Sequence, residues 1–219
     1  MTCVLPQPPA PSPQPPSRHA NPFATCWTRP GALPFRFTND QTAEQLVAKL
    51  ATQNWRGAIV GPHGSGKSTL LESLKPALAA AGRHVRQIAL HDGQRRSPRE
   101  FFDALKGPRT LAVIDGYEQL NWWERLRLTH RCRRASVGLL VTTHAPARIP
   151  TLIHLAPNRA LVAQLVADLC AEVSTTITPN DVAASHACHG SNVREIFFDL
   201  YDRHEQRRRP PRTRAAATT

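Results

Sequence analysis

The segment Gly61-Pro62-His63-Gly64-Ser65-Gly66-Lys67-Ser68 limits what this chain can fold into more than any other. It is entered from a short apolar run, Arg-Gly-Ala-Ile-Val at 56–60. It is left through a stretch in which Leu70, Leu71, Leu74 and Leu78 recur at helical spacing. Glycines at such a strand-to-helix turn let backbone N–H groups point inward, and the helix adds the positive end of its dipole. The spacing Gly-x-x-x-x-Gly-Lys-Ser is that of a phosphate loop, so the β- and γ-phosphates of a nucleoside triphosphate are expected there. Gly61, Pro62, His63, Gly64, Ser65, Gly66, Lys67, Ser68 and Thr69 form the expected cofactor-binding set. Lys67 is expected to reach the β- and γ-phosphates, Ser68 to ligate Mg²⁺, and His63 to be accessory.

A second segment complements the first. Leu-Ala-Val-Ile-Asp-Gly-Tyr-Glu, residues 111–118, reads as a buried strand that delivers an acid at its carboxyl end, where ligands of a parallel sheet bind. Asp115 is the expected partner of Mg²⁺; a strand-end aspartate capping the next turn is the plainer alternative. Glu118 is a candidate to orient or deprotonate an attacking water, or else a solvated acid of a helix start. Thr142, Thr143 and His144 end a further apolar strand, and Thr143 is the candidate there for touching a terminal phosphate or the water. Threonine is also ordinary in strands.

The rest of the chain supplies a frame for these segments. Asn39 or Asp40 is placed to cap a helix with Ala43, Leu46, Val47 and Leu50 on one face. Strands are expected near 56–61, 84–90, 110–115, 137–143 and 151–155. Helices are expected at 67–80, ended by Gly82, from Ser97-Pro98 with Glu100 completing a capping box, and at 119–133. Their alternation predicts an α/β fold: a parallel sheet of about five strands with helices on both faces. Beyond Asn158 the pattern is helical, at 160–173, from Thr178-Pro-Asn-Asp, and from Ser191, which predicts a small helical lid. The expected division is 1–20 disordered Pro-rich linker, 21–38 extended arm, 39–157 nucleotide-binding core, 158–205 lid, and 206–219 basic disordered tail. Seven of the first sixteen residues are proline, hence the linker. Phe23, Trp27, Leu33, Phe35 and Phe37 are too apolar to be left in water, so the arm is expected to lie against the core.

Composition narrows the setting. The net charge is +12, carried by 24 arginines and 4 lysines, and six of the arginines fall between Arg203 and Arg214. Arginine-rich codon usage accounts for such a count, and a basic tail would also bind nucleic acid non-specifically. The five cysteines are odd in number and scattered, without a Cys-x-x-Cys pair, so neither a zinc site nor a disulfide framework is expected. No apolar run reaches the length of a membrane helix and no signal peptide is visible, which reads as a cytoplasmic protein without membrane contact.

At these residues the chain resembles P-loop ATPases that carry an extra strand between the two Walker strands, over roughly 40–205. Within that class it is most similar to AAA+ and STAND ATPases. Ile-Asp-Gly-Tyr-Glu looks like the Asp-Gly-x-acid form of NACHT-type Walker B segments. Leu-Leu-Val-Thr-Thr-His matches the position of their sensor strand, with His144 where an arginine is usual. His-Gly-Ser-Asn-Val-Arg-Glu, 189–195, resembles the lid stretch carrying the sensor-2 arginine, which implies that role for Arg194. Gly116 stands where AAA+ proteins usually have glutamate. The arginine finger is unassigned, with Arg125, Arg127, Arg131, Arg133 and Arg134 as candidates. The resemblance implies an ATP-binding, Mg²⁺-dependent ATPase that couples nucleotide state to conformational change. A homo-oligomer and an unidentified protein partner are both compatible with it. No Leu-Ser-Gly-Gly-Gln signature or Asn-Lys-x-Asp motif is present, which argues against an ABC transporter ATPase and a GTPase. A nucleotide-gated binding module with little turnover stays open. So does a small-molecule kinase that clamps an acidic acceptor through Arg95, Arg96 and Arg99.

Overall fold

The computed structural model describes residues 20–38, 41–91 and 93–208. The Pro-rich segment up to residue 19, Asn39, Asp40 and the chain beyond 208 lie outside the described residues. Among the described residues five strands form one sheet: β1 (Arg56–Val60), β2 (His84–Ala89), β3 (Thr110–Asp115), β4 (Gly138–Thr143) and β5 (Thr151–His154). Their order is β2-β3-β4-β1-β5 and every pairing is parallel. β4 therefore lies between the strand entering the phosphate loop and the strand ending at Asp115.

Alternation sorts the strand residues onto two faces. Ala58, Val60, Ala112, Ile114, Leu139 and Val141 pack against Phe101, Phe102, Tyr117, Leu120, Leu128 and Cys132. These come from α4 (Arg99–Asp103), a 3₁₀ turn (Tyr117–Gln119) and α5 (Trp122–Arg134). Ile59, Leu111, Val113 and Leu140 pack on the other face against α2 (Ala43–Thr52) and α3 (Lys67–Ala80), chiefly through their leucines. With both faces covered, the strands read as continuous apolar runs, as parallel sheets do. A third cluster joins α6 (Arg159–Cys170), α7 (Pro179–His189) and α8 (Val193–Arg208) around Val162, Ile196, Phe197 and Leu200.

Several local expectations change. Thr42, not Asn39 or Asp40, caps α2; its Oγ1 accepts from Gln45 N and Gln45 Oε1 accepts from Thr42 N, a reciprocal capping box. α4 starts at Arg99 after Pro98, and Ser97 makes no capping hydrogen bond. The fixed φ of Pro98 already turns the chain into the helix, so Ser97 lies too early to cap it. The last helix runs to Arg208, past the expected lid boundary at 205, because its arginines have partners. Arg207 donates to both Asp181 carboxylate oxygens at 2.7 Å, and Arg203 Nε donates to Asp199 Oδ1 at 3.0 Å. The arm is not wholly extended. It contains α1 (Thr25–Thr28), and Phe23, Trp27 and Leu33 pack into the three-helix cluster. Phe35 and Phe37 pack on the sheet side. No helix among the described residues is long and apolar enough to cross a membrane.

Candidate functional site

A cleft of about 940 Å³ opens at the carboxyl ends of β1, β3 and β4. The phosphate loop forms its floor, the arm one wall, and the first turn of α8 another. Gly66, with φ +93°, ends the loop and hands the chain to α3. Lys67 lies at the first turn of that helix. Its Nζ donates to the carbonyls of Gly61 and Pro62, both at 2.7 Å, and lies 3.5 Å from His144 Nδ1. Burial pulls the Lys67 ammonium below the usual lysine range; Glu118 and Asp115 oppose that and Arg194 adds to it. Gly61 and Pro62 therefore support Lys67 from behind and do not line the cleft, whereas His63 to Thr69 do.

Two oxygen donors meet beneath the loop. Ser68 Oγ donates to Asp115 Oδ2 at 2.6 Å. The other carboxylate oxygen accepts from Thr142 Oγ1 at 2.6 Å, and that same hydroxyl accepts from Gly116 N at 2.8 Å. Thr142 thus fixes the orientation of Asp115 from the neighbouring strand. Gly116 is required at the turn: its φ is +85°, and a Cβ there would lie 2.7 Å from the Leu90 carbonyl oxygen. A hydroxyl and a carboxylate converging below a phosphate loop are the hard oxygen ligands that suit Mg²⁺.

Glu118 sits on the 3₁₀ turn after β3, and its Oε1 is 2.5 Å from His144 Nε2. The other Glu118 oxygen is buried and has no hydrogen-bond partner among the described residues. Burial lowers the pKa of His144 despite the pull of Glu118, with Lys67 and His63 pushing the same way as burial. The His63 ring lies on the His144 ring with centroids 3.6 Å apart. The phosphate loop, the end of β4 and Glu118 are thus joined through two imidazoles.

Thr143 departs from its expected place. Its Oγ1 donates to the Ala145 carbonyl at 2.9 Å and it does not line the cleft, whereas Thr142 and His144 do. Successive residues of a strand point to opposite faces, so Thr142 and His144 share the site side. Complete burial of β4 hides that alternation in the sequence.

Arg194, the second residue of α8, lines the cleft. The turn before it rests on the phosphate loop: Val193 N donates to Gly64 O at 3.2 Å. A Cβ on Gly64 would fall 1.8 Å from Asn192 Oδ1. Asn192 and the arm residues Leu33, Pro34, Phe35 and Arg36 were not expected at the site. Contacts between segments so distant in sequence leave no local pattern. Arg36 donates to both carboxylate oxygens of Asp168 on α6 at 2.6 Å, and Phe35 N donates to Ser73 Oγ on α3 at 3.2 Å. None of the five α5 arginines, nor Arg95, Arg96 or Arg99, lines the cleft.

The strand order, the phosphate loop at β1 and the acid at the end of β3 define a P-loop NTPase fold. No protein-family model matches the chain, and no curated protein matches it in sequence. Solved structures match it in fold. AMPPCP-bound DnaA from Aquifex aeolicus superposes with a TM-score of 0.52 at 12% identity, over 77% of this chain and 62% of that one. NtrX from Brucella abortus gives a TM-score of 0.53 at 12% identity, over 82% and 53% of the two chains. NtrX in complex with ATP gives 0.50 at 11% identity, over 76% and 50%. The chain thus spans between 50% and 62% of the length of these proteins. The likeness is one of fold: a P-loop NTPase fold shared with DnaA and NtrX.

Proposed function

We propose that this chain binds ATP with Mg²⁺ and hydrolyses it slowly, as an AAA+/STAND-like domain whose three C-terminal helices respond to the nucleotide. The carrying observation is the 2.6 Å contact between Ser68 Oγ and Asp115 Oδ2. It draws together, from the first turn of α3 and the end of β3, the two groups that would hold the metal. Mg²⁺ bound there would neutralise charge on the β- and γ-phosphate oxygens. Lys67 Nζ would exchange its two backbone carbonyls for phosphate oxygens. The loop N–H groups would hold the phosphates, and the arm would shield the nucleoside from water. Glu118 would orient the attacking water or take its proton after leaving His144. The Asp-Gly-Tyr-Glu spacing supports the NACHT-like reading, and the missing Asn-Lys-x-Asp supports ATP over GTP.

Two observations favour low turnover in the isolated chain. Glu118 is engaged by His144, and no α5 arginine reaches the cleft. An arginine finger is worth about 10³–10⁵ in rate. Titration calorimetry and phosphate release test the reading together. Lys67→Ala should weaken Mg-ATP binding about tenfold or more, in keeping with loss of a charged hydrogen bond. Glu118→Gln should bind ATP normally and lose turnover, and Asp115→Asn should lose the Mg²⁺ dependence of binding. Equal affinity of wild type and Lys67→Ala would overturn the assignment of the nucleotide site. Unchanged turnover in Glu118→Gln would remove Glu118 from the chemistry.

A further inference from the structure

Helix α5 has two faces of different character. Glu124, Leu128 and Cys132, spaced four residues apart, are buried toward the sheet. The outer face begins with Trp122, Trp123 and Leu126, which are 63%, 70% and 50% exposed. The two indoles form an edge-to-face pair with centroids 4.4 Å apart. Their ring surface packs against nothing in the core clusters, and large apolar groups left together in water mark a binding surface. Beyond them the same face continues through exposed Arg127, His130, Arg133 and Arg134, over a helix about 20 Å long.

The neighbouring segment is also basic. Arg95, Arg96 and Arg99 are exposed, and the Arg95 carbonyl accepts from Asn121 N at 3.3 Å, beside the first turn of α5. Arg127 lies over the Phe102 ring at 4.6 Å, and Arg131 donates to the Phe102 carbonyl, which fixes α4 against α5. The single acid of α5, Glu124, is buried and paired with Arg127. The result is an aromatic pair at the start of α5, with arginines along the helix on one side and on the loop and first turn of α4 on the other.

We propose that this surface binds single-stranded nucleic acid, with Trp122 and Trp123 stacking on bases and the surrounding arginines holding phosphates. Stacking uses the flat faces of unpaired bases, and phosphates supply the opposite charge. A second copy of this strongly basic chain would bring like charges together over the same patch. An anionic membrane would need a continuous apolar stripe, and here the stripe ends at Leu126 and turns basic. The inference is independent of the nucleotide site.

The test uses the full chain without nucleotide and a labelled oligodeoxythymidylate of about 20 residues. Fluorescence anisotropy and tryptophan emission are read together. The single strand should bind more tightly than duplex of equal length and should quench the emission. Trp122→Ala and Trp123→Ala should each weaken it about fivefold or more, with unchanged circular dichroism, and Trp→Phe should restore most of the loss. Removal of residues 209–219 should leave the preference for single strands in place. The proposal is overturned if the wild type does not bind, if duplex binds as well, or if the alanine variants bind normally. It is equally overturned if the truncation abolishes binding, or if polyglutamate or anionic vesicles occupy the surface in preference to the oligonucleotide.

Discussion

Asp115 owes its orientation to a neighbour that does no chemistry. Thr142 Oγ1 donates to one carboxylate oxygen while Ser68 Oγ holds the other. Replacing Thr142 by valine keeps the shape and leaves Asp115 Oδ1 and Gly116 N without that partner, at a cost of about 1–3 kcal/mol. Thr142→Val should therefore lower the melting temperature and weaken Mg²⁺-dependent nucleotide binding. Thr143→Val should cost about 1 kcal/mol and leave binding intact, since its hydroxyl serves only Ala145 O. Equal nucleotide affinity in the two variants would show that Thr142 does not position the acid. The sequence points to Thr143 at this strand end, whereas Thr142 is the one that faces the site. Both are buried, so polarity does not separate them, and only the site-facing direction does. Lys67, Ser68 and Asp115 were legible because their chemistry depends on local spacing: a glycine turn fixes two of them and a strand end fixes the third. Asn192 and His144 gain their contacts from folding alone.

Among the elements, α3 matched its expected bounds because Gly66 and Gly82, both at positive φ, bracket it. The end of α8 was misplaced because a run of arginines reads as a solvated tail. Its stabilising partner Asp181 lies on another helix, with its own capping box to Thr178. The arm shows the same limit: its aromatic residues announce burial but not which surfaces they join. It ties the three-helix unit to the sheet through Phe23 at one end and Phe35 at the other. Phe23→Ala should destabilise the chain by about 3–5 kcal/mol in denaturant titration, as large buried aromatics do. Arg36→Ala breaks only an exposed pair with Asp168 and should cost at most about 1 kcal/mol. In hydrogen exchange, an ATP analogue should protect residues 158–205 more than ADP does, and Arg194→Ala should erase the difference. Identical protection by both nucleotides would mean that α6–α8 do not respond to the terminal phosphate.

For the whole molecule, acid sensitivity follows from the Asp181 network. Hydrogen bonds from Arg207 hold the Asp181 carboxyl well below the usual carboxylate range, with Thr178 adding to the effect. Because the folded value lies below the unfolded one of about 3.9, its stabilisation is complete above about pH 5 and fades as pH falls through and below 4. Melting temperature should drop over that window, and Asp181→Asn should lower it at pH 7 and flatten the dependence. A wild-type melting curve unchanged down to pH 3 would contradict the assignment. The sheet order carries a different consequence, for the route by which a site comes to exist. The phosphate loop and Asp115 are both complete by residue 115, yet β1 and β3 touch only through β4, which the chain supplies at 138–143. The spacing of β1 and β3 is therefore set by one inserted strand, about 5 Å on either side. A shorter chain ending before β4 would contain both motifs without the strand that brings Ser68 and Asp115 together. The meeting of Ser68 and Asp115 is a long-range product of the fold, and a one-residue slip of β4 would turn Thr142 away from Asp115 while both motifs stayed intact.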